Sequence, residues 1–521
     1  MIVWDRRLKE RGKGMGGLYA RFCQVAEENS DKIAVLAEGE NTSYSKLLAM
    51  SLQIAGFLKH KCSSDCPVAL FHDKSSKSYA FMLAAISQGI PYSCIDIKNP
   101  PVRLESIFST LSNKFVVGPE AWREEFNRKE IYSKVEFLSI EEICGGPTFQ
   151  ISTPALEENS VAYIMFTSGS TGSPKGVTIS HKNVMRFIDW ILTDFSLGPE
   201  KRLLNVNPMY FDNSVFDFFG AFFTGAALIP VDFDLLHDFK RLQLIILEKK
   251  PTFWFSVPST LIYLQRMKVL NEKVFESFEY VMFGGEGFHE TELKKLDQIL
   301  PKGCEMVNVY GPTECTCICS AKFVDRSNLE ALKGLPSLGK LLPGFDGKIV
   351  SEGGEERAVG EVGELVLFGP NVGIGYLNDS RKTEISFINV NSDDPYKRGY
   401  KTGDLVRLDP SSLEYSFIGR SDNQIKHMGY RIELEEIELA LCLCASIIEA
   451  AVIYKKNPTR AGEIIGFVST EDEEDLSLIR EQIENILPSY MLPHRFIWKH
   501  ELPKNSNGKI DKKKLREEIK G

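Results

Sequence analysis

Residues 163–180, YIMFTSGSTGSPKGVTIS, place a loop of glycines and hydroxyl side chains around a single lysine, between two apolar runs. The flanking runs 161–166 and 176–179 are rich in residues that favour strands, and a helical pattern begins only after them, at His181. The segment therefore predicts two strands joined by a loop. The composition of the loop indicates a cradle for phosphate groups.

Two common phosphate-binding motifs do not fit this loop. A Walker motif needs a Gly-Lys-Ser/Thr sequence that runs directly from a strand into a helix, whereas Lys175 follows a proline and precedes a glycine. A dinucleotide fingerprint needs a glycine pattern that opens a helix, and none is present. A plain hairpin turn is the remaining alternative, and such a concentration of Gly, Ser, Thr and Lys is an unusual composition for one. We therefore expect a loop that surrounds a triphosphate with hydroxyls, backbone N–H groups and one ammonium.

The composition limits the class of protein. A chain of 521 residues exceeds the size of one core, so two or more domains are expected. The net charge of −9 argues against a nucleic-acid partner. The charged N-terminus does not resemble a signal peptide, and no apolar run approaches ~18–20 residues, so membrane insertion is not expected. The 11 cysteines lack framework spacing and predict reduced thiols in a cytoplasmic protein.

One cysteine cluster has a regular spacing. Cys315, Cys317 and Cys319 alternate with other residues, which predicts a strand with the three thiols on one face. No histidine lies nearby in sequence, so we interpret them as core or pocket thiols rather than metal ligands.

The pattern along the chain predicts an α/β protein of unequal domains. Strand-like and helical runs alternate from about 18 to 360, which indicates stacked parallel sheets with helices outside. Short strands with turn signals then predict a β-subdomain at about 340–419. The sequence changes again near Arg420 and predicts a small α+β domain of order β-β-α-β-α. We expect an N-terminal core of residues 1–419 and a mobile C-terminal domain of residues 420–521, joined by a hinge.

Six separated motifs now carry a family resemblance. The chain resembles the adenylate-forming superfamily, which includes acyl- and aryl-CoA synthetases, peptide synthetase adenylation domains and luciferases. Within it, the chain is most similar to free-standing amino acid adenylation enzymes such as the D-alanine–carrier protein ligases. The motifs are FTSGSTGSPKGV (166–177), YFDNSVFDFF (210–219), VNVYGPTEC (307–315), YKTGDL (400–405), GRSDNQIKHMGYRIELEEIE (419–438) and LPKNSNGKID (502–511).

The resemblance implies two half-reactions in one site. In the first, a substrate carboxylate attacks the α-phosphate of ATP, with Mg²⁺ present, and pyrophosphate leaves. In the second, the phosphopantetheine thiol of a carrier protein attacks the aminoacyl-adenylate, and AMP leaves. We expect the carrier protein to be supplied in trans, as a partner in nonribosomal peptide synthesis or a similar pathway.

The resemblance also implies roles for nucleotide-binding residues. The loop would hold the triphosphate, with Lys175 at the leaving pyrophosphate, and Glu314 would bind Mg²⁺, which prefers carboxylate oxygen. Tyr310 would stack on adenine, and Asp404 would bind the ribose hydroxyls. The remaining expected contacts are Thr167, Ser168, Gly169, Ser170, Thr171, Gly172, Gly285, Glu286, Asn308, Gly311, Thr313 and Arg420.

Three further positions are implied to serve the reaction itself. Lys509 is the main catalytic candidate, because its ammonium would bridge the substrate carboxylate and the α-phosphate. Asp422 would be the hinge residue. Gly429 would line the pantetheine tunnel, where a side chain would block the thiol.

Asp212 indicates the class of substrate, because it matches the aspartate that pairs with the α-ammonium of an amino acid. The expected side-chain pocket carries no charge, so we predict a neutral and mainly apolar amino acid. Gly284 stands where D-alanine ligases carry cysteine, and this predicts extra room for a larger substrate. D-alanine–carrier protein ligase activity, acyl-CoA synthetase activity and a non-catalytic nucleotide-binding role stay open as alternatives. The expected pocket residues are Asn213, Phe216, Ser256, Met282, Gly284, Val309, Cys317 and Ile318.

Overall fold

A computed structural model of the chain describes residues 17–62, 66–129, 135–146, 154, 156–169, 172–389, 394–444, 446–457, 462–470, 476–505 and 509–519. The chain forms an α/β fold with a large N-terminal domain and a small C-terminal domain, as predicted. No helix in these ranges is long and apolar enough to cross a membrane.

One sheet of the N-terminal domain carries the glycine-rich loop. Its central strands are parallel, and the loop joins two antiparallel strands near one edge. In spatial order the seven described strands are β18 (Gly375–Tyr376), β8 (Lys175–Ser180), β7 (Val161–Thr167), β4 (Tyr92–Ile95), β3 (Val68–Phe71), β5 (Phe115–Gly118) and β6 (Glu136–Ser139).

The second sheet has nine described strands, with a parallel centre and antiparallel edges. The antiparallel edges of both sheets were not anticipated from the strand–helix alternation. In spatial order the strands are β15 (Lys340–Leu341), β14 (Ser320–Phe323), β13 (Glu305–Tyr310), β12 (Tyr280–Gly284), β11 (Phe253–Ser256), β9 (Arg202–Asn205), β10 (Ala227–Pro230), β1 (Ile33–Val35) and β2 (Thr42–Ser43).

Helices pack between the two sheets and on their outer faces. They are α1 (Leu18–Glu28), α2 (Tyr44–Lys61), α3 (Ser76–Gln88), α4 (Pro101–Leu111), α5 (Arg123–Asn127), α6 (Ile140–Gly145), α7 (His181–Asp194), α8 (Asn213–Phe222), α9 (Phe233–His237), α10 (Phe239–Lys249), α11 (Pro258–Arg266), α12 (Glu272–Phe275), α13 (Glu290–Asp297) and α14 (Ser380–Ser386).

The period of two along the strands explains how each sheet is buried on both faces. Leu203 of β9 belongs to the core between the two sheets, and its neighbour Leu204 belongs to the core on the opposite face. In β3 the same alternation places Leu70 in the shared core and Phe71 in an outer core. Strands that are apolar at every position are therefore required on both sheets.

The predicted loop between two strands is confirmed. Strands β7 and β8 are antiparallel, and the pair Thr167–Lys175 closes the ladder at the mouth of the loop. Helix α7 follows β8 directly because Ser180 caps it: the Ser180 hydroxyl accepts from the Asn183 N–H, and the Asn183 side chain accepts from the Ser180 N–H. The cap fixes where the strand stops and the helix begins.

The β-subdomain packs on the core shared by the two large sheets. Its sheet begins at Asp346, close to the expected start, and ends at Arg420. The strands are β16 (Asp346–Val350), β17 (Val362–Phe368), β19 (Phe387–Ile388), β20 (Gly399–Leu408) and β21 (Tyr415–Arg420).

The last part of the chain has cores of its own, formed by residues between Ile432 and Ile519. This separation agrees with a small C-terminal domain, while the exact boundary between residues 419 and 420 stays a prediction. Strands β25 and β26 and helix α17 add to the expected order β-β-α-β-α. Its elements are β22 (Gln424–His427), β23 (Tyr430–Glu433), α15 (Leu434–Cys442), β24 (Glu449–Lys455), β25 (Glu463–Ser469), α16 (Leu476–Glu484), β26 (Arg495–Trp498) and α17 (Lys512–Glu518).

The predicted strand through Cys315, Cys317 and Cys319 is wrong. Residues Thr313–Cys315 form a 3-10 turn, and Thr316 and Cys317 adopt φ of 60° and 72°. The chain must reverse here because β13 and β14 are antiparallel neighbours only nine residues apart, from Tyr310 to Ser320. The three cysteines are buried and reduced, but they do not share a strand face.

Candidate active site

The glycine-rich loop is tightly folded at the end of β7. A Cβ added to Gly169 would lie 2.0 Å from the Ser173 carbonyl oxygen, so only glycine allows this turn. Gly172 has φ of +81°, a left-handed conformation that glycine adopts without strain. Ser170 and Thr171, which were expected in the cradle, lie outside the described residues.

The loop presents donors that suit a phosphate chain. The Thr167 hydroxyl is buried and has no hydrogen-bond partner within the described part of the chain. The Gly169 N–H donates at 3.0 Å to a carboxylate oxygen of Glu436, so this backbone donor faces an anion. An unpaired buried hydroxyl beside a backbone donor that holds an anion fits the expected binding of the ATP triphosphate.

Lys175 lies at the base of the loop and is buried. Its ammonium lies 3.5 Å from a Glu433 carboxylate oxygen and 5.5 Å from the centre of the Tyr376 ring. Burial is the main cause that lowers the pKa of Lys175 to about 8, and the nearby Arg431 guanidinium acts in the same direction. The lysine is therefore close to losing its charge at mildly alkaline pH.

Glu314 is the most completely buried carboxylate of the site. One oxygen accepts from the Tyr376 hydroxyl at 2.8 Å, and the other lies 2.7 Å from the Arg431 guanidinium. Although burial raises the pKa of this carboxyl, Arg431 and Lys175 outweigh burial and hold it at about 2. An ionised, buried carboxylate next to the phosphate loop fits a ligand of Mg²⁺.

The state of Lys175 predicts a pH limit for ATP use. We expect kcat/KM for ATP to fall as the pH rises through about 8, since the ammonium that is expected to bind the leaving pyrophosphate is then lost. Lys175→Arg keeps a positive charge at every accessible pH, so the alkaline decline of kcat/KM in this variant should shift upward by more than one pH unit. Pyrophosphate exchange measured from pH 7 to 10 checks this, and an identical limb in both proteins would contradict the role of Lys175.

A chain of hydrogen bonds links the residues expected at adenosine. The Tyr310 hydroxyl donates at 2.6 Å to Asp404, and Arg420 contacts the second oxygen of Asp404 at 2.8 Å. Arg420 also pairs with Asp422, the expected hinge residue. The Lys426 ammonium lies 5.6 Å from the centre of the Tyr310 ring. The expected adenine, ribose and hinge residues are therefore brought together.

The other residues expected to contact the nucleotide are fixed in place either by close backbone packing or by hydrogen bonds of their side chains. A Cβ on Gly311 would lie 2.2 Å from the Cys317 carbonyl oxygen, so glycine is required there. Gly285 has φ of +81°. Asn308 donates to the Ser337 carbonyl at 2.8 Å, and Glu286 accepts from the N–H groups of Ser259 and Gly429.

Asp212 lies beside the nucleotide motif. Its carboxylate accepts from the Thr313 hydroxyl at 2.6 Å. Burial is the main cause that raises its pKa, and the charge of Glu314 adds to that effect. By contrast, Asp217 is held in the core by the amides of Asn205 and Asn207, so Asp217 has a structural role.

The expected extra space at Gly284 is not present, and this part of the pocket prediction is wrong. Gly284 pairs with Val309 on the neighbouring strand. A Cβ added to Gly284 would lie 2.4 Å from the Val309 carbonyl oxygen and 2.6 Å from its Cγ2. The glycine therefore permits a close approach of the two strands, and Val309 fills the space.

The remaining residues expected in the pocket are of two kinds: most are buried in the protein core, and one is partly exposed. Phe216 packs in a buried aromatic cluster with Phe195, Phe253 and Phe255, and the Ser256 hydroxyl is bonded to the Trp254 side chain. Asn213 is the partly exposed member next to Asp212, whereas Met282, Val309, Cys317 and Ile318 are buried apolar residues.

This packing predicts the result of restoring a side chain at position 284. We expect Gly284→Cys to destabilise the protein by about 1–3 kcal/mol or more, because the new atoms overlap the Val309 backbone. We also expect no shift of substrate preference toward alanine. Thermal or denaturant unfolding checks the first result, with Gly303→Cys as control, since a Cβ on Gly303 meets nothing. A stable Gly284→Cys variant with alanine preference would contradict it.

The C-terminal domain places its first hairpin, not Lys509, at the site. The Gly429 N–H donates at 2.6 Å to Glu286, and a Cβ on Gly429 would lie 3.0 Å from Val257, so a side chain at Gly429 would crowd Val257. Lys509 is exposed, and its backbone is bonded to Asn505. The expected catalytic lysine is thus on the surface in this orientation of the domain.

Several site residues were missed by sequence reasoning. The quoted motif of residues 419–438 contained the signal, since its charges cluster beside Gly429, but roles were assigned only to Arg420, Asp422 and Gly429. Arg103 and Tyr376 lie in stretches without a recognisable motif. The missed residues are Arg103, Val257, Tyr376, Lys426, Arg431, Glu433 and Glu436.

Comparison with known proteins identifies two family models in the chain. The model of the AMP-binding enzyme matches residues 22–377, and the model of the AMP-binding enzyme C-terminal domain matches residues 436–509. The D-alanine--D-alanyl carrier protein ligase of Staphylococcus aureus strain Newman is 31% identical over 512 residues, which cover 97% of this chain and 100% of that protein.

Solved structures show the same fold. An NRPS protein containing adenylation and PCP domains, bound to a vinylsulfonamide inhibitor, has a TM-score of 0.83 and 23% identity, and covers 96% of this chain and 84% of its own. The Vibrio cholerae adenylation domain AlmE, in complex with glycyl-adenosine-5'-phosphate, has a TM-score of 0.80 and 21% identity, and covers 100% of this chain and 99% of its own.

Proposed function

The chain belongs to the AMP-binding enzyme family, and from that premise we propose that it activates a neutral amino acid with ATP and transfers it to a carrier protein. The first half-reaction joins the amino acid carboxylate to the α-phosphate and releases pyrophosphate. The second joins the acyl group to the phosphopantetheine thiol of a carrier protein supplied in trans and releases AMP. The product is an aminoacyl thioester.

The position of Asp212 carries the amino acid part of this proposal. Asp212 accepts a hydrogen bond from the Thr313 hydroxyl, so it is next to the site expected for the phosphates. Burial raises the pKa of the Asp212 carboxyl, so its ionised form is costly unless a cation lies nearby. The α-ammonium of an amino acid supplies that cation, whereas a fatty or aryl acid does not, which disfavours an acyl-CoA synthetase.

The residues around the phosphate loop would carry the first half-reaction. The Thr167 hydroxyl, the loop N–H groups and Lys175 would bind the leaving pyrophosphate, and Glu314 would hold Mg²⁺, which supplies charge neutralisation when bound. Lys509 would stabilise the charge that develops between carboxylate and α-phosphate. Lys509 is exposed here, so this step requires another orientation of the C-terminal domain.

The orientation in this structure suits the second half-reaction instead. Gly429 packs close to Val257 and donates its N–H to Glu286, at the position where the family resemblance would bring the pantetheine arm. A side chain at Gly429 would crowd Val257 and disturb this contact. The carrier protein would then dock near the hairpin of β22 and β23.

The basic C-terminal segment of residues 499–516 is a weak candidate for docking an acidic carrier protein. Lys499, Lys504 and Lys512 pair with glutamates of the same domain, which reduces the positive charge available to an acidic carrier. Lys513, Lys514 and Arg516 remain as candidates for contact with a carrier.

D-alanine is the second candidate substrate, and two observations favour it. Val309 fills the space that would have admitted a larger side chain. The protein named D-alanine--D-alanyl carrier protein ligase matches over 97% of this chain. Larger neutral amino acids stay within the proposal because the described pocket walls carry no charge apart from Asp212.

Exchange of labelled pyrophosphate into ATP tests the proposed function. We expect exchange that depends on one neutral amino acid, assayed over the twenty L-amino acids and D-alanine. Lys509→Ala should reduce it about 10²–10³-fold, because a preorganised charge is removed from the transition state, while ATP binding survives. ATP binding without amino acid-dependent exchange would favour a non-catalytic nucleotide-binding protein.

A second prediction concerns recognition of the ammonium. Asp212→Asn should raise KM for the amino acid roughly 10²-fold, because removing one member of a buried charge pair costs roughly 3–5 kcal/mol, and less where water reaches the pair. KM for ATP should stay nearly unchanged. Equal activity of the wild-type enzyme toward an amino acid and its des-amino analogue would refute this assignment.

A further inference from the structure

The loop that carries Asp212 is closed at its base by a buried carboxylate. This loop, residues 206–212, connects the end of β9 to the start of α8. One oxygen of Asp217, on the second turn of α8, accepts from the side-chain amide of Asn205 at 2.8 Å and from that of Asn207 at 3.1 Å. All three side chains are buried. Asp217 therefore ties the helix back to the start of the loop that leads into it.

Asn207 joins the two elements that form the walls of the expected pocket. Its side-chain amide donates to Asp217 of α8 and, at 2.8 Å, to the Phe255 carbonyl of β11. Ser256, which is expected at the substrate, is the last residue of β11. Asp212 directly precedes α8. One buried amide thus sets the spacing between the helix and the strand that would hold the substrate.

A buried lysine anchors the same cluster to the seven-stranded sheet. Lys74 follows β3, and its ammonium donates to the Asn205 carbonyl at 2.8 Å and to the Val231 carbonyl at 2.6 Å, at the ends of β9 and β10. The Tyr79 hydroxyl of α3 donates to the Asn205 side chain at 3.0 Å. Both large sheets and α8 are therefore joined at Asn205.

The charges of this cluster are costly to keep. Burial is the main cause that lowers the pKa of Lys74 to about 7 and that raises the pKa of Asp217 to about 7. Lys74 also adopts a φ of 61°, in the left-handed region that disfavours a side chain. A buried charge pair is weak evidence for stability, because an apolar pair of similar shape often folds as stably. Cost and strain beside an expected binding residue favour a role in function.

We propose that Asn207, Asp217 and Lys74 are positioning residues for amino acid recognition, which act by fixing Asp212 where it meets the α-ammonium. The inference rests on the proposed function, because it extends the role given there to Asp212. A buried network on rigid elements holds a recognition group more precisely than a loop does alone. A small shift of Asp212 would weaken the ammonium contact and leave the nucleotide contacts in place.

Two adenylate analogues isolate the ammonium contact without turnover. The probes are glycyl sulfamoyladenosine and acetyl sulfamoyladenosine, which differ only in the amino group and carry no side chain that depends on the pocket. Calorimetry with the full-length protein gives the Kd of each probe. The wild type should bind the glycyl probe roughly 10²-fold more tightly, because a close and partly buried charge pair is formed. The ratio of the two Kd values reports on Asp212, since losses at the nucleotide cancel.

Variants of the network should lower this preference. In Asn207→Ala the ratio should fall about tenfold, because members of one hydrogen-bonded network are coupled by about that amount, while the Kd of the acetyl probe stays within about threefold. Asp217→Asn keeps the shape of the side chain but makes its charge-assisted hydrogen bonds neutral, so the ratio should fall about threefold. Asp217→Asn serves if Asn207→Ala does not fold. An unchanged ratio in the variants that fold would overturn the proposal.

Tyr44→Phe is the matched control, because it removes a buried hydrogen bond at the far end of the same helix. The Tyr44 hydroxyl lies 2.9 Å from the Ala221 carbonyl and 2.7 Å from the Ala226 carbonyl. Thermal unfolding should show lower stability in both Tyr44→Phe and Asn207→Ala, but only Asn207→Ala should change the ratio. Equal changes in both variants would show a general loosening of α8 and would refute the proposal. Equal binding of the two probes by the wild type would instead refute the amino acid recognition in the proposed function.

Discussion

The need to neutralise the fully buried Glu314 carboxylate organises the site. An isolated charge in such a place would be very costly, so the surrounding structure has to supply donors and cations. Tyr376 comes from the edge of the seven-stranded sheet, and Arg431 comes from the C-terminal domain. One carboxylate therefore ties together a sheet edge, the nucleotide motif and the small domain. Any orientation that withdraws Arg431 must bring another cation to Glu314.

Much of the fold could be predicted because it depends on local patterns. The two strands around the glycine-rich loop follow from apolar runs, and Ser180 marks the start of the next helix. The failure at Cys315–Cys319 has a physical cause. Alternation in sequence is a weak signal over five residues, and the antiparallel pairing of β13 with β14 forces a turn there. Pairing between strands is a tertiary property that the short pattern did not contain.

The residue types expected at the site lie close together in the structure, whereas the packing at Gly284 differs from the prediction. Motif positions pointed to Thr167, Lys175, Glu314, Asp404 and Asp212, and the roles of these residues stay predictions. The supposed space at Gly284 was inferred from the size of one residue, whereas the volume depends on Val309 across the strand pair. A missing side chain creates room only if no neighbouring residue occupies the space, and the sequence does not give the distance between Gly284 and Val309.

The orientation of the C-terminal domain was likewise beyond the sequence. Lys509 and the hairpin of residues 424–433 both carry motifs, and both are expected to serve the same cleft. They belong to one domain, so an orientation that brings one of them to the cleft moves the other away. The sequence identifies both motifs but does not show which of them lies at the cleft. In this orientation Arg431, Glu433 and Glu436 contact three groups that were expected to bind the nucleotide and its metal, and the sequence did not reveal these contacts.

The two carboxylates Glu314 and Asp212 also connect substrate recognition to this exchange of charges. Asp212 bonds to Thr313, the residue next to Glu314, and the charge of Glu314 raises the pKa of Asp212. A cation that neutralises Glu314 therefore makes the ionised form of Asp212 less costly, and a bound ammonium at Asp212 does the same in return. Binding of a cation at one carboxylate and of an amino acid at the other should then reinforce each other. In the orientation of this structure Arg431 supplies the cation at Glu314, so the cost of an ionised Asp212 is already reduced there.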